Sequence, residues 1–431
     1  MIDTRKRAII SLIPFLFITI YALNFMNFAA DEYTYMNTAH SLISGYEYLD
    51  LDRFPLFPFL LSLLYIPFGS SELISKIFVI FLGVSTLLAV FFTSKKIFDE
   101  KTAYWATLIL STSPLFIFFG TRVLTEMLFM LIFLICIYLI YISKTQPRYL
   151  SLLGFFSAVL FLTRYVGLYV FFILFAFLFL EKKRRLIISR WFLACLLVFF
   201  LTLSPYLLIS YGLTGNPIGL ILSFFGVQYG VSQGLMSWPD RIPSFFLALP
   251  FILGATSLLL WRTVYKNHKK LLKGKFSIFT ISVLIVTLVM ELFYLNGTPL
   301  LRYIIVALPP LSVIASHKID SKKIKSIASL LIIANFLLSL AFVYTFNTAY
   351  QKHIDYRLAG LYARENCQTY SSNIEFVMFF HTKKLSENMD QGPECIIFSK
   401  HDAEKEEMPP ENYSKVEIEN LSEKILVFKK S

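Results

Sequence analysis

Residues 149–180 read YLSLLGFFSAVLFLT, then Arg164, then YVGLYVFFILFAFLFL, with Arg164 the single ionisable side chain apart from tyrosines. As one helix this stretch would run about 48 Å at 1.5 Å per residue, well beyond a hydrocarbon core of about 30 Å. Broken at Arg164, it makes two apolar helices joined by a tight turn. The distribution of basic residues decides between the two readings, because cytoplasmic loops carry an excess of Lys and Arg. With a turn at Arg164, the segments on the N-terminal side hold 23 Lys/Arg, in residues 5–7, 93–102, 144–149, 181–190, 262–275 and 317–326. The opposite side holds six: Arg53, Lys76, Arg122, Arg164, Arg241 and Arg302. A single helix would invert everything downstream and leave 10 basic residues inside against 18 outside. The hairpin is therefore expected, with the N-terminus in the cytoplasm.

Working outward, apolar stretches of spanning character recur near 8–28, 73–92, 103–119, 127–143, 149–163, 165–180, 191–211, 244–261, 276–295, 303–316 and 327–346, eleven in all. The expected fold class is an α-helical polytopic membrane protein with about 11 transmembrane helices. Composition agrees: 56% of residues are hydrophobic and 16% charged, against about a quarter charged in soluble domains. Arg5-Lys6-Arg7 precede an apolar run with no small-residue cleavage site, which reads as a retained signal anchor. No internal repeat of equal period is visible. The net charge of +12 divides into +15 over residues 1–346 and −3 over 347–431. Its excess sits in the cytoplasmic loops, where it anchors the chain to the membrane, and nucleic-acid binding loses its support.

Three segments on the outer side are long: 29–72, 212–243 and the tail after 346. In the first, Phe54-Pro55-Leu56-Phe57-Pro58 opens an apolar stretch to Phe68 that is too short to span, which predicts an interfacial helix beginning at the prolines. The tail predicts a small extracytoplasmic α/β domain: a helix over about 350–366, then strand-like runs Ile374–Phe380, Cys395–Ser399 and Ile425–Phe428. Cys367 and Cys395 either pair or stay as two thiols. Pairing closes a loop of about 29 residues, worth roughly 3.6 kcal/mol by chain entropy. Cys136 and Cys195 lie inside spans as small apolar residues. Sequons at Asn296, Asn412 and Asn420 fall on the outer side.

Ionisable groups in or at the ends of spans are costly and mark functional candidates. Here they gather at the outer interface: Asp31 and Glu32 after the first span, Arg122 and Glu126 before the fourth, Arg164 at the hairpin, Glu291 in the ninth, and Arg302-Tyr303 opening the tenth. Bland readings stand beside these. Arg122 and Glu126, four apart on one helical face, suit a structural ion pair; Arg164 and Arg302 suit snorkelling to headgroups. Asp31-Glu32 suits a solvated loop, Glu291 a polar packing contact, and Lys76 and Asp240 plain surface. His40, His353, His381 and His401 have no metal-ligand spacing, so no metal site is assigned and a divalent ion is not excluded. Carboxylates and guanidinium groups at an outer interface suit one chemistry well: a general base deprotonates an acceptor hydroxyl, while arginines hold the phosphate of a lipid-linked phosphosugar.

At these residues a family resemblance enters. Ala30-Asp31-Glu32-Tyr33-Thr34-Tyr35, with Gly45-Tyr46 and Arg53-Phe54-Pro55-Leu56, resembles the first outer loop of the GT-C glycosyltransferases, in the branch of the protein O-mannosyltransferases and lipid A aminoarabinose transferases. Thr121-Arg122-Val123-Leu124-Thr125-Glu126 resembles that family's second acidic motif. Leu162-Thr163-Arg164-Tyr165, between Gly154 and Gly167, resembles its donor-facing basic segment, and Leu301-Arg302-Tyr303 with Pro309-Pro310 its Arg-Tyr motif. The ordered set covers most of residues 1–346. The resemblance implies a transmembrane catalytic domain over 1–346 and a polyprenyl- or dolichyl-phosphate monosaccharide donor. It also implies inverting transfer to a protein, lipid or glycan acceptor, with no organic cofactor. Asp31 is then the base or an acceptor ligand, with Glu126 and Glu32 as supporting carboxylates, and Arg164, Arg302, Arg122 and Tyr303 face the donor phosphate. Arg164 stands where many relatives have Lys, Glu126 where they have Asp, and the tail adds no large domain, which points to a compact prokaryotic member. The rival readings are a lipid-linked glycan flippase or transporter and a polysaccharide ligase or polymerase. The first predicts repeat symmetry and charges at the bilayer midplane. The second predicts arginine-rich outer loops, whereas Arg241 stands alone in 212–243.

Overall fold

The computed structural model describes residues 4–23, 30–45, 53–223, 252–293, 304–346, 350–372, 393–399, 413–416, 418 and 425–430. Arg302, Tyr303, Asp240, Arg241, the three sequons, the run Ile374–Phe380 and the side chain of Glu291 lie outside the described residues. In chain order the helices are α1 Thr4–Ala22, α2 Ala30–Ser44, α3 Leu56–Phe68, α4 Glu72–Ile97, α5 Glu100–Ser111, α6 Pro114–Gly120, α7 Glu126–Ser143, α8 Tyr149–Thr163, α9 Tyr169–Leu180, α10 Arg190–Thr214, α11 Ser257–Leu271, α12 Ser277–Phe293, α13 Leu308–Ala315, α14 Lys322–Phe346 and α15 Tyr350–Asn366.

Each of the eleven expected stretches carries helix in its described part. Four of these helices are individually long and apolar enough to cross a membrane, in α4, α7, α10 and α14, and two bent pairs qualify when taken together. The fold is a helical membrane bundle carrying a small sheet. Many large apolar side chains on its outside, such as Phe17, Phe81, Phe92, Phe200 and Leu330, are more than half exposed, as a lipid-facing surface requires.

The deciding stretch does break at Arg164. That residue is extended (φ −158°, ψ 132°), and a 3₁₀ turn over Tyr165–Leu168 leads into α9. The expected span 103–119 is two helices, α5 and α6, bent by 67°. Pro114 opens α6 and lacks the N–H that a continuous helix needs. Ser339 of α14 donates to the Thr112 carbonyl at 2.9 Å, satisfying an acceptor left at the break. Segment 262–275, expected as a loop, is helical to Leu271, and the chain turns by 111° between Gly254–Leu271 and Gly274–Met290. The start of this helix is held by Asn335 of α14, which accepts from the Ala255 N–H at 2.6 Å and donates to the Leu253 carbonyl at 2.8 Å.

Close packing explains three glycines. A Cβ at Gly154 of α8 would stand 2.1 Å from the Cys195 carbonyl oxygen of α10, so these helices meet backbone to backbone. Gly83 of α4 and Gly120 of α6 leave room for the Phe15 ring of α1. Cys136 and Cys195 are free and buried, as their apolar setting suggests.

The tail is α15 with four strands, β1 Tyr370–Ser372, β2 Cys395–Ser399, β3 Tyr413–Val416 and β4 Ile425–Lys430. The sheet order is β1-β2-β4-β3. β1 runs parallel to β2, with Tyr370 opposite Cys395, and the other two pairings are antiparallel. The helix and the strands β2 and β4 match expectation; β1 and β3 are new. A disulfide joins Cys367 to Cys395, tying the end of α15 to β2. Buried tail residues Tyr356, Ala359, Ala363, Tyr370, Ile397 and Val427 belong to the same apolar cluster as the bundle.

Candidate active site

Asp31 and Glu32, which the sequence places in the first outer loop, both lie in the first turn of a helix, α2. Carboxylates there meet the positive end of the helix dipole, and successive residues of a helix point about 100° apart. The two neighbours accordingly live in different surroundings. Asp31 Oδ1 accepts from Arg53 Nη2 at 2.9 Å, with side chains 38% and 27% exposed. The Arg53 guanidinium also lies over the Tyr35 ring, 5.0 Å from its centroid. Burial works against the Arg53 charge, yet Tyr35 and Asp31 beside it outweigh that and raise its pKa.

Glu32 is fully buried. Its Oε1 accepts from Arg122 Nη1 at 3.0 Å, its Oε2 accepts from the Val123 N–H at 2.6 Å, and Lys76 Nζ stands 3.5 Å from Oε2. Lys76 also donates to the Thr121 carbonyl. It is buried within the cluster, not a surface residue as its position suggested. A buried carboxylate is tolerated when paired and hydrogen-bonded in this way. Beside it, Tyr33 donates to Glu72 Oε1 at 3.0 Å, and burial together with Glu72 and Glu32 holds its phenol pKa far above the ordinary value.

The Arg122–Glu126 ion pair, the bland reading of their spacing, is not among the ion pairs of the described residues. Arg122 lies in the turn before α7 and reaches back to Glu32, while Glu126, the first residue of α7, accepts from Arg164 Nη1 at 2.8 Å. The periodicity argument fails because only one of the two residues is in the helix. Arg164 Nη1 also approaches Thr125 Oγ1 at 3.4 Å. These contacts link five segments in one path: Arg53 to Asp31, Glu32 to the 121–125 turn, and Glu126 to Arg164. Two members were missed in the sequence as site candidates. Arg53 enters the sequence reading as an outer basic residue and as part of the first-loop motif without a site role, and its signal is its place just before the interfacial helix. The signal for Lys76 was a lone charge inside an apolar span.

A cavity of about 420 Å³ opens beside this path. Its wall is mostly apolar, from Leu42 of α2, Phe59 of α3, Leu162 of α8 and Pro205, Tyr206 and Ile209 of α10, and Arg53 is its charged member. Phe54, next to Arg53, packs edge-on against Phe161 of α8 with centroids 5.3 Å apart, fixing the arginine's segment to that wall. Among the described residues no three His, Cys, Asp or Glu side chains cluster as a metal site.

Residues 52–209 match the family described as dolichyl-phosphate-mannose-protein mannosyltransferase. The fold superposes on ArnT from Cupriavidus metallidurans bound to undecaprenyl phosphate, with a TM-score of 0.67, 13% identity and 97% of each chain covered. It also superposes on the oligosaccharyltransferase AglB from Archaeoglobus fulgidus in complex with an inhibitory peptide and a dolichol-phosphate. There the TM-score is 0.64 at 10% identity, over 91% of this chain and 69% of that one. A search of curated protein sequences finds no match. The fold is that of the GT-C glycosyltransferases, and the chain resembles their mannosyltransferase and ArnT branch.

Proposed function

We propose that this GT-C-type membrane protein moves a monosaccharide from a polyprenyl- or dolichyl-phosphate donor to an acceptor hydroxyl at the outer face of the membrane, with inversion. The observation that carries the reading is the half-open Asp31–Arg53 pair beside an apolar cavity of which Arg53 is part. The polyprenyl chain lies along Leu42, Phe59, Leu162 and Ile209, and its phosphate meets Arg53. Asp31 takes the proton of the acceptor hydroxyl as general base. The acceptor oxygen then bonds to the anomeric carbon on the face opposite the phosphate. The carbon–oxygen bond to phosphate breaks, and lipid phosphate leaves with its charge balanced by arginine.

In this reading Arg164 and the Arg302-Tyr303 pair complete the phosphate pocket. Glu126 orients Arg164. Arg122 and Glu32 hold the two halves of the site together without touching the donor. The division of labour between the domains is 1–346 for catalysis and 347–431 for an outer accessory unit. The Cys367–Cys395 disulfide supports an extracytoplasmic tail, since such bonds persist on the oxidising side of a membrane.

Two experiments test this. Purified protein is incubated with a panel of polyprenyl-phosphate sugars and free polyprenyl phosphate is measured; no release from any donor, with or without divalent ions and with acceptor peptides, lipids and glycans supplied, sinks the proposal. For orientation, Lys415→Cys on the exposed β3 strand should react with an impermeant maleimide in intact cells. Labelling that appears only after permeabilisation would reverse the topology.

A further inference from the structure

Helix α4 has 26 residues, about 39 Å of length at 1.5 Å per residue, and its two ends do different things. Glu72 and Lys76 at its start belong to the Asp31 site. Lys95 and Lys96 fill its last turn. Lys76 and Lys96 are about 30 Å apart along the axis, the thickness of a hydrocarbon core. The two lysines at the end therefore lie at the opposite membrane interface from the site.

At that end a groove of about 580 Å³ runs between α4 and α7. It is lined by Ala89, Phe92 and Thr93 of α4, by Ile135 and Tyr138 of α7, and by Lys95 and Lys96. Ala89, Phe92 and Lys96 follow the i, i+3, i+7 spacing of one helix stripe, so the apolar wall and the charge face the same way. Phe92 is 60% exposed. Lys95 is 3.6 Å from Glu100, and Arg7 approaches the same carboxylate at 3.1 Å. Glu100 is thus shared by Arg7 and Lys95, while Lys96 is exposed at the groove and brings it a positive charge.

We propose that this groove binds an anionic phospholipid of the leaflet opposite the Asp31 site. The headgroup phosphate meets Lys95 and Lys96, the Tyr138 ring sits at headgroup level, and an acyl chain lies along Ala89, Phe92 and Ile135. Free phosphate would satisfy the lysines and leave the apolar wall empty; a zwitterionic lipid would fill the wall without using the charge. The groove is remote from the proposed donor cavity, and its occupancy does not depend on the proposed reaction.

The test uses the full chain, delipidated in neutral detergent, titrated with phosphatidylglycerol, phosphatidylcholine or inorganic phosphate and followed by native mass spectrometry. Phosphatidylglycerol should bind more tightly than phosphatidylcholine. A lysine near an anionic headgroup is worth about 1 kcal/mol, so Lys96→Ala should weaken phosphatidylglycerol roughly fivefold and leave phosphatidylcholine unchanged. A Phe92→Trp reporter should be quenched more by brominated phosphatidylglycerol than by its phosphatidylcholine counterpart. Lys275→Ala, on another basic segment, should retain wild-type affinity, and unchanged melting of each variant certifies the fold. Wild-type phosphatidylglycerol affinity in folded Lys96→Ala would overturn the site. Displacement of the lipid by equimolar inorganic phosphate would overturn its assignment to a lipid.

Discussion

Asp31 and Glu32 are neighbours in sequence and carry the same charge, yet the protein treats them as opposites. Asp31 keeps 38% of its side chain open and has Arg53 as its ion-pair partner. Glu32 is sealed between Arg122, Lys76 and the Val123 N–H. The difference teaches that the cluster of charge at this interface is two devices. One is a half-open pair whose arginine lines a cavity. The other is a closed cluster that ties α2 to α4 and to the 121–125 turn, and so sets where Asp31 stands relative to Glu126 and Arg164.

Breaking the open pair should have the largest effect on turnover. Asp31→Asn keeps shape and removes the basic oxygen, so the transfer rate should fall by about 10²- to 10⁴-fold, while donor affinity and melting temperature hold. Near-normal turnover in folded protein with saturating donor would pass the role of base to Glu126. The closed cluster should answer in stability. Glu32→Ala leaves Lys76 and Arg122 buried without their carboxylate, and loss of one partner of a buried pair costs about 3–5 kcal/mol. Denaturant or thermal unfolding in a fixed detergent reads this. An unchanged midpoint together with lost turnover would instead put Glu32 into the chemistry.

A smaller effect separates binding from catalysis. Arg53→Ala removes a charge-assisted contact to phosphate worth about 1.5–3 kcal/mol, so donor affinity should weaken about 10- to 150-fold. Measured donor dissociation constants that match wild type would return Arg53 to a purely structural partner of Asp31. The finest test acts through the ring beneath that guanidinium. Tyr35→Leu removes a cation–π contact of about 0.5–1 kcal/mol, and donor affinity should drop roughly two- to fivefold. An effect equal to that of Arg53→Ala would mean that Tyr35 itself touches the donor.

Much of this was visible from local pattern. The length of the apolar run around Arg164 and the count of basic residues on the two sides set a helix break at the right residue. Pro55 and Pro58 marked the start of α3, and the helical run 350–366 marked α15. Strand β1 was missed because three residues carry no period, and β3 because Tyr-Ser-Lys-Val at a sheet edge has no buried alternation. The break at Pro114 was hidden inside one long apolar stretch: hydropathy measures burial of side chains and is blind to a missing N–H.

The sequence by itself determined that the chain is a membrane bundle with a small α/β tail, and that acidic and basic side chains collect at one end of its helices. Those properties follow from composition, apolar length and charge asymmetry, each a sum over neighbours in the chain. Which carboxylate meets which cation was decided by tertiary structure alone. The spacing of Arg122 and Glu126 allows a pair four residues apart, yet Arg122 reaches Glu32 about ninety positions earlier, while Glu126 takes Arg164 from the break after α8. Charged pairing at a crowded interface goes to whichever group the packed helices bring within 3–4 Å and desolvate together, and no spacing along the chain encodes that distance.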